Sequence, residues 1–421
     1  MRPRSNTERA GLLGAFLLLW AVYSWAGVGL VSSNDGSHLA LARALGLRGT
    51  TRIDPDVPLT LGVDLAQRDG HSYSDRPPGT AFSALPVVAV LGRADEAFAE
   101  ATRRRKAVLV QPASRRYLVT YALRFPDPPP LYTLQGSVLA ARVAAGAFGA
   151  AGSVLVYLLT RALGGSLAAG VFATASLACA SLWAVYGTVF FSHVFAGTYL
   201  TAFFVCALAC RGCGSPRLAT AAGVLAGAAA ICEFALAPAV AVAFAVLVPR
   251  REIGRALAGA AIPVLLAAAY HTAAFGAPWA LGYDFARFDF ARDRASTFSG
   301  DPLHGLSVLF GVGHGAGLAA ISPALLAGAI ALAALAPRVA VVCAPFALLL
   351  CFHKTPEGGA FADHRYLVPL LPAFAAGAGL LLDRIVPARP AVRYVGLFVL
   401  LAATGFAVLR VLSHAAFVYD L

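Results

Sequence analysis

The stretch AGLLGAFLLLWAVYSWAGVGLV, residues 10–31, contains no charged side chain. About 20 apolar residues in a helix cross the roughly 30 Å hydrocarbon core of a bilayer, so this segment reads as a transmembrane helix. It is too long for the apolar region of a signal peptide and is read as an uncleaved first helix. Further runs repeat the pattern at 135–161, 166–187, 190–210, 216–232, 234–249, 254–275, 317–336, 338–353, 366–386 and 391–413. Barrel strands alternate in polarity, and these runs do not. Backbone inside lipid must satisfy its own hydrogen bonds, which leaves helices. Residues 77–92 form one more apolar run, short for a span. The expected fold is all-α: a polytopic membrane protein of eleven or twelve transmembrane helices, with juxtamembrane helices on its outer face.

Composition agrees. Hydrophobic residues make up 59% and charged residues 13%, against about 25% charged in soluble domains. Mean hydropathy is +0.73. The net charge of +12 implies no nucleic-acid partner, because arginine marks cytoplasmic turns in membrane proteins. Most of the cysteines lie inside apolar runs and read as small hydrophobes. Cys210 and Cys213 form a lone CxxC, and without a second ligand pair it does not read as a metal site.

Orientation follows from arginine. With the N-terminus cytoplasmic and 77–92 dipping in and returning, Arg161, Arg211, Arg217, Arg250, Arg251, Arg255, Arg338, Arg384, Arg389 and Arg393 all fall in short cytoplasmic turns. Short turns are where the positive-inside rule has force. If 77–92 crosses, most of these arginines face outward. The basic stretch Arg103–Lys106 then lies outside, within a long loop, where the rule is weak. The chain reads as a single membrane domain, 1–421, in the plasma (inner) membrane. Its first outer loop is 32–130, and further outer loops are 277–316 and 354–365. No internal repeat is evident.

Chemistry should therefore sit on the outer face. SSNDGSHLALARAL, residues 32–45, follows the first helix. Leu39, Leu41, Ala42 and Leu45 make a partly apolar helical stripe, suited to a short helix lying flat on the membrane surface. Asp35 stands at its start, as an N-terminal cap or as a general base facing a substrate hydroxyl. GHSYSDRPPGTAF, residues 70–82, puts Asp75 and Arg76 before two prolines. Pro77 disfavours helix at Arg76, and Pro78 suits a first helical turn. A guanidinium and a helix N-terminus at headgroup depth both attract phosphate. The alternative is an interfacial anchor that only fixes depth. A carboxylate base beside an anchored phosphate leaving group is what glycosyl transfer from a polyprenyl-phosphate sugar requires.

These motifs resemble the GT-C membrane glycosyltransferases, in particular the protein O-mannosyltransferase and lipid A aminoarabinose transferase group. Asn34-Asp35-Gly36 resembles that group's first acidic motif, and Tyr73-Ser74-Asp75-Arg76-Pro77-Pro78-Gly79 its motif of a charged residue before prolines. The resemblance implies that Arg76 takes the place of a lysine contacting lipid phosphate, and that the transfer inverts the sugar. It extends through Phe190-Phe191-Ser192-His193, Glu233-Phe234, Arg365-Tyr366-Leu367-Val368-Pro369 and Leu371-Pro372. The first motif carries one carboxylate where the group often has a pair.

Other candidates are fewer. Glu233 divides the run 216–249, and an ionisable residue inside a membrane segment is functional by default. It reads as a second carboxylate orienting acceptor or sugar, or as a turn residue at the headgroups. His193 can hydrogen-bond a sugar hydroxyl or sit satisfied at the interface. In HKTPEGGAFADHRYLVP, residues 353–369, Arg365 is a second phosphate contact or the partner of Asp363, and His364 lies beside it. No HExxH or comparable spacing appears, so no cofactor is expected; a divalent metal in this loop is the lesser reading. The aromatic loop 277–303 suits sugar stacking or surface packing. The glycine-rich 311–317 follows no strand and supports no nucleotide loop. The expected partners are a polyprenyl-phosphate sugar donor, a glycan, lipid or protein acceptor, and the bilayer. A lipid-linked glycan flippase and a non-catalytic scaffold are the rival functions.

Overall fold

The structure is a computed structural model that describes residues 5–127, 130–312, 317–358 and 364–419. Its helices are, in chain order, α1 Asn6–Ala26, α2 Ser33–Arg48, α3 Gly79–Leu91, α4 Asp95–Arg105, α5 Arg115–Arg124, α6 Gln135–Ala162, α7 Leu167–Cys179, α8 Leu182–Tyr186, α9 Ser192–Cys213, α10 Pro216–Cys232, α11 Ala237–Leu247 and α12 Ile253–Phe275. After them come α13 Asp289–Arg292, α14 Arg294–Thr297, α15 Pro302–Phe310, α16 Leu318–Ile321, α17 Pro323–Leu335, α18 Pro337–Cys351, α19 Leu371–Ile385 and α20 Pro390–Tyr419. A small hairpin, β1 Ala66–Arg68 and β2 His71–Tyr73, lies between α2 and α3.

Among the described residues six helices are long and apolar enough to cross a membrane, and five shorter apolar helices accompany them. These coincide with the runs read from sequence, and the chain is a multi-pass integral membrane protein. The run 166–187 breaks into α7 and α8 because Ser181 caps the second piece, its Oγ accepting from the Trp183 N–H at 3.2 Å. Helix α1 exposes Leu13, Leu17, Leu18 and Trp25, the expected surface toward lipid.

Small residues set the packing, because lipid supplies no hydrophobic drive between helices and close backbone approach must replace it. Gly223 of α10 lies against the Ala256 carbonyl of α12, and Gly377 of α19 against the Gly328 carbonyl of α17. A Cβ at either position has no room. Along α1 and α6, Trp20 Nε1 donates to the Val143 carbonyl at 3.0 Å, and Arg142 Nη2 to the Trp25 carbonyl at 2.6 Å.

Helix ends gather in two layers. In one, Leu30 bridges to Ala113, Gln135 Oε1 accepts from the N–H groups of Leu109 and Val110, and the Tyr419 hydroxyl meets Thr188. In the other, Arg161 donates to the Gly165 carbonyl, Arg211 to Val246 and Arg255 to Glu252, while Asp383 accepts from Ser166. Helix α3 begins and ends in the first layer: Gly79 abuts Cys232, and Gly92 abuts Leu47 and Ser137 at the start of α6.

One expectation is corrected. Helix α2, expected as a short helix on the membrane surface, is covered by other parts of the chain. Its residues Asp35–Ala42 are all buried. The later part of the same loop folds over it: the Tyr117 hydroxyl of α5 donates to the Leu59 carbonyl at 2.6 Å, and both meet Gly36. Its polar side chains are therefore interior groups, and each needs a partner or a ligand.

Candidate active site

The hairpin builds the centre of the site. Asp69 and Gly70 take positive φ, 51° and 77°, as the tight turn that Asp-Gly favours between twisted strands. The register pairs Arg68 with His71, Gln67 with Ser72 and Ala66 with Tyr73. Carried two steps outward, that register brings Asp64 beside Asp75 and Arg76. Arg76 Nη2 is hydrogen-bonded to Asp64 Oδ1, and its Nε lies 3.3 Å from Asp75 Oδ1, an ion pair without good hydrogen-bond geometry. Asp64 also accepts from Ser33 Oγ of α2 at 2.7 Å. Ser37 and Ser74 hydroxyls meet at 2.8 Å. Helix α2 and the Arg76 segment are thus tied by side chains at two points.

Behind Arg76 the chain enters α3 through Pro77 and Pro78, with Pro78 in helical geometry as N-cap, φ −75° and ψ −13°. Gly282 packs on the Asp75 backbone, and the neighbouring Tyr283 feels the charge of Arg76. Loop 277–303 is therefore a cover on the hairpin: Arg287 N–H donates to the Leu65 carbonyl at 2.8 Å, and Phe285 stacks on Phe275 at 5.1 Å.

Asp35, the expected general base, is engaged as a helix cap. It is the N3 residue of a capping box. Its Oδ2 accepts from the Val31 N–H at 2.7 Å, and its Oδ1 from Ser32 N–H at 2.9 Å, Ser32 Oγ at 3.2 Å and Gly36 N–H at 3.1 Å. The carboxylate is wholly buried. Burial pushes its pKa up to about 7, against the pull of these donors. Burial also raises Asp75; Arg76 opposes and Asp64 adds to the rise.

Two side chains on the same face of α2, four residues apart, face inward without partners. Asn34 Oδ1 and both ring nitrogens of His38 are buried and make no hydrogen bond. The His38 edge meets the Phe190 ring at 6.2 Å. Burial, then the charges of Arg76 and His193, lower its pKa to about 3, so it is neutral. Sequence reading passed over His38 and Asp64. The Asp69-Gly70 turn is the signal that locates Asp64; His38 is visible only as a polar residue inside an apolar helical stripe.

On the neighbouring wall, His193 starts α9 and Glu233 sits in extended backbone, φ −144°, where α10 stops. His193 Nδ1 is 3.1 Å from Glu233 Oε2, and Ser192 Oγ donates to the same oxygen at 3.2 Å. Tyr366 stands edge-on to His193, with ring centres 6.0 Å apart. Arg365 lies over Phe191 at 5.4 Å and Tyr366 at 5.3 Å, and its Nη1 donates to the Gly358 carbonyl at 2.8 Å. His364, at φ 55°, lines a small apolar cavity with Leu182, Leu309 and Leu371. Asp363, the alternative partner of Arg365, and most of the glycine-rich stretch 311–317 lie outside the described residues. Among the described residues no three His, Cys, Asp or Glu side chains gather as a ligand set for a metal ion.

No family model matches this sequence, and no curated protein does. Solved structures do. ArnT from Cupriavidus metallidurans bound to undecaprenyl phosphate aligns over 99% of this chain and 77% of its own, with TM-score 0.55 and 13% identity. Its apo form aligns over 98% and 77%, with TM-score 0.55 and 14% identity. The oligosaccharyltransferase of Archaeoglobus fulgidus, in the apo form, aligns over 98% of this chain and 57% of its own, with TM-score 0.55 and 12% identity. These are GT-C superfamily proteins, and the chain has their fold.

Proposed function

We propose that this protein is a GT-C glycosyltransferase that moves a monosaccharide from a polyprenyl-phosphate donor to an acceptor hydroxyl on the outer face of the inner membrane. The observation that carries the reading is Arg76: a guanidinium at the first turn of a short apolar helix, held by Asp64 and Asp75 yet still partly open. The donor phosphate takes its open edge. As the acceptor oxygen attacks the anomeric carbon, the carbon–oxygen bond to phosphate breaks, and the electron pair leaves with polyprenyl phosphate. Arg76 neutralises that charge in a site of low dielectric, where fixed positive charge is most effective. Attack from the face opposite the phosphate inverts the sugar. The outer-face assignment rests on the arginine turns of the opposite layer, since arginine favours the cytoplasmic side.

The test is direct. Protein purified in mild detergent and analysed by mass spectrometry should carry a polyprenyl-phosphate sugar. Arg76→Ala should lower affinity for undecaprenyl phosphate roughly 10- to 150-fold, the equivalent of one charge-assisted hydrogen bond. Correctly inserted Arg76→Ala protein with wild-type affinity and transfer would refute the reading. A labelled lipid carried across proteoliposomes without covalent product would support a flippase instead.

A further inference from the structure

We propose that His193, oriented by Glu233, takes the proton from the acceptor hydroxyl; this rests on the transferase reading above. The acids of the site divide by what already occupies them. Asp35 is fully buried, with four donors on its two oxygens. Asp64 and Asp75 are held against Arg76, with side chains 7% and 1% exposed. A carboxylate that accepted a proton there would release the guanidinium that must hold the phosphate. Glu233 is 20% exposed, and among the described residues its ion pair is with His193, whose side chain is 8% exposed.

The pair has the form of an oriented imidazole base. Glu233 Oε2 at 3.1 Å from Nδ1 selects the tautomer with the proton on Nδ1, and leaves Nε2 as the acceptor. Ser192 Oγ fixes the same carboxylate oxygen. The contact falls short of good hydrogen-bond geometry, and catalytic hydrogen bonds often tighten only with substrate. In the step, the acceptor O–H gives its proton to Nε2 while its oxygen bonds the anomeric carbon. The imidazolium formed is stabilised by the Glu233 carboxylate. Glu233 is a positioning residue, and His193 is the catalytic one.

The charged and titratable groups around the pair come from several elements. His38 of α2 and Arg76 before α3 face it from one side. Cys232 and Tyr283 stand beside Glu233. His353, Tyr366 and Arg365 close the far side. Arg76 and Arg365 oppose a second positive charge, and Glu233 offsets them.

The experiment uses the full chain in proteoliposomes. Binding is read with undecaprenyl phosphate, and turnover with a panel of labelled undecaprenyl-phosphate monosaccharides and a membrane extract as acceptor. His193→Asn should lower kcat roughly 10²- to 10⁴-fold with undecaprenyl phosphate affinity kept within about threefold of wild type. That retained affinity also shows that the variant is folded. Glu233→Gln should lower kcat with little change in KM, and Glu233→Asp should restore part of the loss. Imidazole should partly restore turnover to His193→Ala. The proposal is overturned if His193→Asn turns over at the wild-type rate, or if imidazole restores nothing to His193→Ala. A wild-type protein that binds no undecaprenyl phosphate and transfers no sugar would instead overturn the transferase reading, and this proposal with it.

Discussion

Asp35 and Arg76, from two separate motifs, are held in different ways: one caps a helix and the other pairs with two carboxylates. Asp35 organises the entry to α2, and Val31, Ser32 and Gly36 all donate backbone N–H groups to it. Asparagine there offers one acceptor oxygen, and its NH₂ faces a donor. Asp35→Asn should cost about 1–3 kcal/mol, the value of stranding a buried donor, read as a lower Tm in detergent. The pH dependence has a defined sign. A folded pKa near 7 against an ordinary 3.8 means that the folded state binds this proton more tightly. Its stabilising contribution is full below about pH 4 and is lost as pH rises to about 7. The Asn variant should lack that slope, which a Tm series over the same pH range will check. The companion prediction is the loss of phosphate affinity in Arg76→Ala, with a lower Tm because Asp64 and Asp75 lose their partner. Both carboxylates lose the cation they pair with among the described residues, and buried like charges repel.

The hairpin is the element that converts sequence distance into a site. It returns the chain so that Asp64 meets Arg76, and its turn demands a left-handed residue at Gly70. A Cβ at Gly70 meets nothing within 4 Å, so a substitution there tests conformation alone. Gly70→Val should cost about 1–2 kcal/mol in stability and reduce transfer by more than that cost explains, because Asp64 no longer holds Arg76. Gly49, the C-cap of α2, has a similar φ of 64° and equally open surroundings. Gly49→Val serves as the control: a similar stability cost, with transfer retained. A turnover assay on both variants, each normalised to folded protein, separates the two.

At the scale of the molecule, one layer carries the candidate site and the other carries the arginine turns. The two sides of the membrane should therefore label oppositely. In a cysteine-free background, Arg52→Cys in the site layer should react with an impermeant maleimide in whole cells or right-side-out vesicles. Arg217→Cys, at the start of α10, should react only in inverted vesicles. Both positions are exposed. Labelling of Arg217→Cys from outside would reverse the topology and place the site in the cytoplasm.

The sequence by itself determined the spans, because burial in lipid needs length and apolarity, and both are local properties of a run. It also located Arg76, since an arginine followed by two prolines and an apolar segment puts charge at a helix entrance without help from the rest of the chain. It placed Asp35 at a helix start, where the capping geometry is local as well. What Asp35 faces was not local: it depends on residues 54–65 and α5 folding over α2, which turned an expected surface helix into an interior one. The pairing of Asp64 with Arg76, the inward face of Asn34 and His38, and the meeting of His193 with Glu233 across 40 residues all depend on which helix ends share a layer. Tertiary packing decided these, because a polar side chain acquires its role from the charges and donors that other segments bring to it.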